Sequence, residues 1–100
     1  MRVNFGSSDL ERFYTTGATP WKPPSMTQRF FLIVETLKGW SRGDLEGKKP
    51  LGWHPLVGDR EGQFGLALSE RHRLCVAFSE DEDGEYIVVI DATDHYGKAI

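Results

Sequence analysis

Several side chains that can transfer a proton lie in the second half of the sequence. Asp94, His95 and Tyr96 form a tripeptide after the last predicted strand. His54 lies beside a proline near the start of the predicted sheet, and His72 is predicted to be a surface residue beside a hairpin turn. Imidazole titrates near neutral pH, and carboxyl and phenol groups also act in general acid–base catalysis. Exposed or hydrogen-bonded side chains without a catalytic role explain the same pattern, so both interpretations stay open.

Arginine and lysine supply the positive charge that a phosphate group requires. Arg73 alternates with Cys75 and Ala77 along a predicted strand, so these three side chains share one face of the sheet. Because Cys75 and Ala77 are small, this face is expected to form a shallow concavity into which Arg73 points. The alternative is an ordinary solvated sheet face. The other basic residues that can contact a phosphate are Arg60, in a predicted turn, Arg71, Lys48 and Lys49.

No motif in the sequence indicates a metal or a cofactor. The single cysteine, Cys75, excludes an intrachain disulfide and a cysteine-based zinc site, and its mid-strand position predicts a buried, inert thiol. The histidines and acids lack the spacing of metal ligands, and there is no phosphate-binding glycine loop or nucleophile elbow. We therefore expect neither a metal nor a cofactor.

Length and composition indicate one globular domain over residues 1–100, since 39% of the residues are hydrophobic. Without a long apolar run or an N-terminal apolar segment, we expect no membrane association, no signal peptide and a cytoplasmic location. The formal net charge of −3 is unevenly distributed, because five of the fifteen acids lie within residues 80–85. Outside that run 12 Lys and Arg face 15 − 5 = 10 acids, which indicates an acidic lobe on a mildly basic body.

Two helices are predicted in the first half of the chain. Residues 8–11 (SDLE) and 25–28 (SMTQ) are capping boxes, which place a hydroxyl at the helix start and a Glu or Gln three positions later. The first helix is short and ends at Gly17. The second carries a stripe of large apolar residues at alternating steps of four and three, namely Met26, Phe30, Ile33, Leu37 and Trp40. Residues 41–52 contain three glycines and a proline and are predicted to form a loop.

The second half of the chain changes to the period of two that is typical of β-strands. Large and small residues alternate over residues 64–69 and 73–79, whereas residues 86–90 (YIVVI) are apolar on both faces, as in a well-covered strand. A shorter strand near residues 54–57 starts the sheet. The predicted fold class is therefore α+β, with two N-terminal helices packed on a twisted antiparallel sheet of three to four strands.

Three segments, in this order and at these spacings, resemble the RelE/ParE toxin superfamily, and its HigB-like branch most closely. They are residues 52–62 (GWHPLVGDREG), 71–78 (RHRLCVAF) and 90–96 (IDATDHY). The toxins of this branch carry a His-Pro-Leu-basic-Gly-Asp segment, a strand with an arginine followed by an aliphatic residue, and a C-terminal Asp-Tyr-His. The helical half of the chain matches that family only in outline.

The resemblance implies a fold, an activity and a set of site residues. The family packs two helices on a twisted antiparallel sheet, cleaves mRNA on the translating ribosome, and is silenced by a cognate antitoxin. For this chain it implies a small helix-turn-helix DNA-binding protein as the antitoxin partner. Carried over by position, the catalytic candidates are His54, Arg73, Asp94, His95 and Tyr96. Imidazole and phenol can move the protons of RNA cleavage, and an arginine fork suits the phosphate.

Two hypotheses from different functional classes follow from the sequence. The first is a ribosome-dependent mRNA endoribonuclease, which the presence of His54, Arg73 and His95 favours. The second is a non-catalytic binding module on the same scaffold, either a gyrase-targeting ParE-type toxin or an inactive homologue that binds an antitoxin. Val57, which replaces the basic residue after His-Pro-Leu, and the acidic net charge favour the second hypothesis. The missing positive charge could instead come from Arg60, Arg71, Lys48 or Lys49.

Overall fold

The computed structural model describes residues 1–94 and 96–100, in which three helices pack on one mixed β-sheet. In chain order the elements are β1 (Arg2–Phe5), α1 (Ser8–Thr16), α2 (Pro24–Gly39), α3 (Arg42–Lys48), β2 (His54–Pro55), β3 (Phe64–Ala67), β4 (His72–Asp81) and β5 (Gly84–Asp94). Short 3₁₀ turns at Pro50–Gly52 and Gly58–Arg60 lie on either side of β2. The predicted α+β class is confirmed.

The sheet has five strands in the order β1-β5-β4-β3-β2. β2, β3, β4 and β5 form an antiparallel series, as the sequence predicts. β1 pairs in parallel with β5, with Val3 opposite Ile87 and Phe5 opposite Val89. β5 is thus an interior strand with neighbours on both sides, which explains why its residues are apolar on both faces.

The core lies between α2 and the sheet. Phe30, Ile33 and Leu37 from the predicted helical stripe are fully buried, in one cluster with sheet residues such as Leu74 and Ile87. The stripe follows the 3.6-residue period of a helix, and its partners follow the two-residue period of the strands. The predicted packing of the large strand residues on the second helix is therefore confirmed.

The helix starts differ from the two predicted capping boxes. The N-cap of α1 is Ser7, one residue before the predicted one, and its hydroxyl accepts the N–H of Leu10 at 3.3 Å. α2 begins at Pro24 and has no side-chain cap, because proline supplies the preset φ of the first turn and has no N–H to satisfy. The predicted end of α1 is correct, since Gly17 adopts the left-handed conformation and donates to Phe13 O.

Two elements were absent from the sequence prediction. Residues 42–48 form α3 instead of the predicted loop, because Leu45 is fully buried in the core and Ser41 caps the helix through the N–H of Asp44. Burial and capping thus outweigh the low helix propensity of two glycines. β1 adds a fifth, parallel strand that four residues could not reveal as a pattern, since its pairing is with residues more than eighty positions away.

Candidate functional site

A cavity of about 270 Å³ lies at the end of the sheet, where the turn between β3 and β4 meets the last residues of β5. Its lining combines basic, acidic and imidazole side chains. These residues are His54, Ala67, Ser69, Glu70, Arg71, His72, Arg73 and Asp94. Four of the sequence-predicted site residues, from three different strands and a turn, therefore meet in one place.

Arg73 is fixed to the sheet by its neighbours across the strands. It pairs with Ala67 of β3 and with Thr93 of β5, so the three side chains share one face. Its Nε–H donates to the hydroxyl of the buried Thr93 at 3.3 Å. The two terminal amino groups of Arg73 make no hydrogen bond to any residue that the structure describes, and they are available to bind a phosphate.

A β-bulge in β5 places Thr93 under Arg73. Cys75 pairs with Asp91 and the next residue, Val76, pairs with Val89, so Ile90 is an extra residue in β5. Because side chains alternate between faces, this insertion turns Asp91 and Thr93 away from the core and onto the face that carries Arg73. The alternation of a regular strand, on which the sequence prediction relied, does not reveal Thr93 as a partner.

The imidazole of His54 occupies the space above Gly65. The two residues are paired between β2 and β3, and a Cβ built on Gly65 would lie 2.9 Å from His54 Cε1. His54 Nδ1 lies 2.8 Å from the carbonyl oxygen of Gly52. Since a carbonyl only accepts, we assign the ring proton to Nδ1. Nε2 of the neutral ring is then a free base.

His72 is a cavity residue that the sequence prediction placed on the surface. Its Nδ1 lies 2.7 Å from Ser69 Oγ, and that oxygen also accepts the backbone N–H of Arg71 at 3.2 Å. The turn is further closed by the N–H groups of Leu68 and Ser69, which both donate to His72 O. In the sequence, the one feature that points to His72 is its position directly before Arg73, and that feature is not specific.

Asp94 organises the turn that follows β5. Its Oδ1 accepts the backbone N–H groups of Tyr96 and Lys98, each at 2.9 Å. The pKa of Asp94 lies below its usual value, mainly because of the bond from Lys98 N–H, with smaller contributions from Tyr96 N–H and the charges of Lys98 and His72. Asp94 is therefore a carboxylate at neutral pH. Tyr96 is 87% exposed and does not line the cavity; the predicted catalytic residue His95 lies outside the described residues.

Three predicted basic residues lie away from the cavity. Arg60 makes a two-pronged ion pair with Asp91 at 2.7 and 3.0 Å, and hydrogen bonds to Asp91 hold the pKa of the guanidinium above its usual value. Lys48 and Lys49 belong to the last turn and the C-cap of α3, where Lys48 lies 4.0 Å from Asp44. Of the predicted RNA-binding set, the structure brings Arg71 alone to the cavity.

One further cation borders the cavity and was not predicted. Arg29 of α2 donates its Nε–H to the carbonyl oxygen of Ala67 at 2.9 Å. It lines an adjacent depression that shares Ala67, Ser69 and Glu70 with the cavity. In the sequence Arg29 is one polar residue of an amphipathic helix, so no local pattern distinguishes it.

Cys75 lies beneath the same face and is fully buried, as predicted. Burial raises the pKa of its thiol, and Thr93 Oγ1 lies 3.8 Å from the sulfur. A protonated, enclosed thiol is a poor nucleophile. Among residues 1–94 and 96–100 no group of His, Cys, Asp and Glu side chains could hold a metal ion. No helix within the described chain has the length and apolar character to span a membrane.

Comparison with known proteins identifies the fold. The sequence matches no protein-family model and no curated protein. The structure is similar to a YoeB/ParE toxin from Agrobacterium tumefaciens, with a TM-score of 0.60 and 19% identity over 96% of this chain and 100% of that chain. It is also similar to a YoeB-YefM complex from Staphylococcus aureus, with a TM-score of 0.58 and 18% identity over 96% and 98% of the two chains. The chain therefore has a RelE/ParE-like fold.

Proposed function

We propose that this protein is the toxin of a toxin–antitoxin pair and that it cleaves mRNA on the ribosome. The observation that carries the proposal is the cavity that His54 and Arg73 line together. Nε2 of the neutral His54 ring is a free base, and the terminal amino groups of Arg73 form no hydrogen bond to a described residue. These are the groups that cleavage of an RNA phosphodiester needs. The likeness to a YoeB/ParE toxin supports the toxin assignment.

The proposed reaction is attack of a ribose 2′-oxygen on the adjacent phosphorus. His54 Nε2 takes the proton of the 2′-hydroxyl while the bond from phosphorus to the 5′-oxygen breaks. Arg73 binds the non-bridging oxygens and stabilises the charge of the five-coordinate phosphate. A protonated group must deliver a proton to the leaving 5′-oxygen, and the products are a 2′,3′-cyclic phosphate and a 5′-hydroxyl. His95 and Tyr96 are the acid–base candidates that the sequence places beside Asp94, and His95 is the favoured one because imidazole titrates near neutral pH and phenol near pH 10.

The partner and the location follow from the proposed activity. The similarity to one chain of a YoeB-YefM complex supports a protein partner, and we propose that it is a cognate antitoxin, a small helix-turn-helix protein. Such a partner is required because an unrestrained ribonuclease would stop the translation of its own host. A ribosomal target places the protein in the cytoplasm.

The proposal predicts that Arg73→Ala abolishes cleavage in a folded protein. Removal of one charge-stabilising donor typically slows a reaction by about 100- to 1,000-fold. Arg12→Ala is the matched control, since Arg12 is an exposed arginine of α1 whose guanidinium pairs with Asp9 and lies over the Phe13 ring, and it does not line the cavity. Cleavage of mRNA bound to programmed ribosomes is measured by primer extension, and folding by circular dichroism. Undiminished cleavage by Arg73→Ala would remove this residue from the site.

A non-catalytic binding role is the second candidate, and two observations favour it. Val57, which follows the His-Pro-Leu segment where the family has a basic residue, is 85% exposed, so an apolar side chain faces solvent at that position. Arg60 cannot replace the missing charge while it is bound to Asp91. A gyrase-targeting toxin or an inactive antitoxin-binding homologue would require no phosphate-binding charge there.

Expression without the partner distinguishes the two candidates. We expect induction to stop incorporation of radiolabelled amino acids within minutes, while plasmid supercoiling stays normal, because mRNA is the proposed target. The Arg73→Ala protein, expressed to the same level, controls for the effect of overexpression itself on translation. Continued translation with relaxed plasmid DNA would support the gyrase-targeting candidate, and no effect on either would support the inactive homologue.

A further inference from the structure

The nitrogen atoms of His72 have separate surroundings. Ser69 Oγ has two lone pairs, of which one accepts the N–H of Arg71 and the other is available to Nδ1 of His72 at 2.7 Å. The serine therefore holds the Nδ1 side of the ring in the turn. Nε2 makes no hydrogen bond to any residue that the structure describes, and His72 lines the cavity.

The ionised carboxylate of Asp94 lies opposite His72 at the end of the β4–β5 ladder. The charge of His72 is one of the causes that lower the pKa of Asp94, so the two groups interact as opposite charges when the imidazole is protonated. In that state Nδ1–H donates to Ser69 Oγ and Nε2–H is presented to the cavity.

His54 differs from His72 in the group that holds it. The carbonyl of Gly52 fixes the proton of His54 on Nδ1, which leaves Nε2 as a base in the neutral ring. The charged groups that share the cavity are Glu70, Arg71, Arg73 and Asp94. Carboxylates are ionised and guanidinium groups keep their protons near neutral pH, so His54 and His72 are the described cavity residues suited to move protons.

We propose that His72 is the general acid of this site and protonates the leaving 5′-oxygen, an inference that rests on the proposed RNA cleavage. As His54 Nε2 takes the proton of the 2′-hydroxyl, His72 Nε2–H gives its proton to the 5′-oxygen when the phosphorus–oxygen bond breaks. Proton number is conserved, with His54 left protonated and His72 neutral. Ser69 and Asp94 are positioning residues, which hold the ring and balance its charge.

A change of leaving group tests this role directly. An mRNA with a sulfur in place of the bridging 5′-oxygen at one linkage releases a thiolate, which needs no protonation. On programmed ribosomes, His72→Ala and His72→Gln are expected to cleave the natural linkage at least about 100-fold more slowly than wild type. Both should cleave the sulfur-containing linkage at nearly the wild-type rate. His54→Ala, which removes the base, is the matched variant and should be slow on both linkages.

Each other result is decisive. Wild-type protein that cleaves neither linkage overturns the proposed function and the role of His72 with it. If both His72 variants cleave the natural linkage as fast as active wild type does, His72 is not the acid. The same conclusion follows if both variants are slow on the natural and on the sulfur-containing linkage. If His95→Ala cleaves the natural linkage slowly and the sulfur-containing linkage at nearly the wild-type rate, His95 is the acid and the assignment to His72 is wrong. Circular dichroism and thermal melting establish that the compared variants are folded.

Discussion

Gly65 lies opposite His54, and the missing side chain at this position makes room for the imidazole. A Cβ there would lie 2.9 Å from His54 Cε1 and 3.2 Å from Leu56 Cδ2, both nearer than ordinary van der Waals contact. The imidazole is exposed on β2, a strand of two residues, so it can move without disturbing the core. A methyl group at position 65 therefore displaces the imidazole and the end of the Leu56 side chain, while the backbone of the sheet stays intact.

We expect Gly65→Ala to lower the rate of RNA cleavage by at least about tenfold, since small displacements of a catalytic group have large effects on rate. Thermal stability should change little. Gly47→Ala in α3 is the matched control, because a Cβ at position 47 meets nothing within 4 Å. Cleavage on programmed ribosomes and thermal melting are measured for both variants. Wild-type activity in Gly65→Ala would mean that the position of the His54 ring is not important.

At the residue scale, the sequence predicted individual candidates better than their contacts. Strand alternation correctly placed Arg73 on the face of the small residues. His54 and Asp94, which the family resemblance implied as candidates, line the same cavity as Arg73. The bulge at Ile90 could not be predicted, since nothing in an apolar run marks the extra residue. For the same reason the pairing of Asp91 with Arg60, which removes that arginine from the predicted set, was not visible in the sequence.

The helix starts provide a test at the scale of elements. Ser7 and Ser8 are adjacent and chemically identical, yet only the Ser7 hydroxyl accepts a backbone N–H of α1. Replacement of a capping serine by alanine typically costs about 1 kcal/mol of folding free energy. Ser7→Ala should therefore lower the free energy of unfolding by about that amount, while Ser8→Ala should stay within about 0.5 kcal/mol of wild type.

Ser25→Ala is the corresponding control in α2, where the sequence predicts a cap that the structure lacks. All three variants are compared by urea denaturation, with the slope of the transition checked for constancy. A decrease in the free energy of unfolding that is confined to Ser8→Ala, or a clear decrease in Ser25→Ala, would support the predicted capping boxes and contradict helix starts at Ser7 and Pro24.

Long periodic elements were predicted because their periodicity is a local property. α2 and β4 each repeat their pattern several times, and the large residues of the two patterns pack in or against the core. β5 was predicted from an apolar run, which does not indicate a core face. α3 has too few residues for a repeat, and its stability comes from the burial of Leu45 and from the Ser41 cap. β1 forms because β5 offers an unpaired edge, which is a property of the assembled sheet.

For the molecule as a whole, part of the positive charge is balanced by ion pairs within the fold. Within residues 1–94 and 96–100, ion pairs involve five of the basic residues, namely Arg2, Arg12, Arg42, Lys48 and Arg60. Arg2 and Arg42 bind Asp81 and Glu85 of the acidic run, so part of the predicted acidic lobe is neutralised by the body of the protein. Arg71 and Arg73 in the cavity, with Arg29 beside it, are the basic residues placed to contact RNA there.

This distribution predicts a weak salt dependence of RNA binding. For single strands, the logarithm of the binding constant falls with the logarithm of salt concentration with a slope of about −0.7 for each phosphate neutralised. Two or three contacts from Arg73, Arg71 and Arg29 give a slope between about −1.4 and −2.1, with weak affinity for free RNA. A protein with a net charge of −3 is not expected to bind free RNA tightly, so the ribosome is expected to bring the mRNA to the cavity.

The slope can be measured by fluorescence anisotropy, with a labelled oligonucleotide that carries 2′-deoxyribose at every position and therefore cannot be cleaved. Arg73→Ala should make the slope less steep by about 0.7 because one phosphate contact is lost, whereas Arg12→Ala should leave it unchanged. Wild-type cleavage should be fast on programmed ribosomes and slow on the same mRNA free in solution. A slope steeper than about −4 would require six or more contacts, which the basic residues at the cavity cannot make, and would place the RNA on another surface.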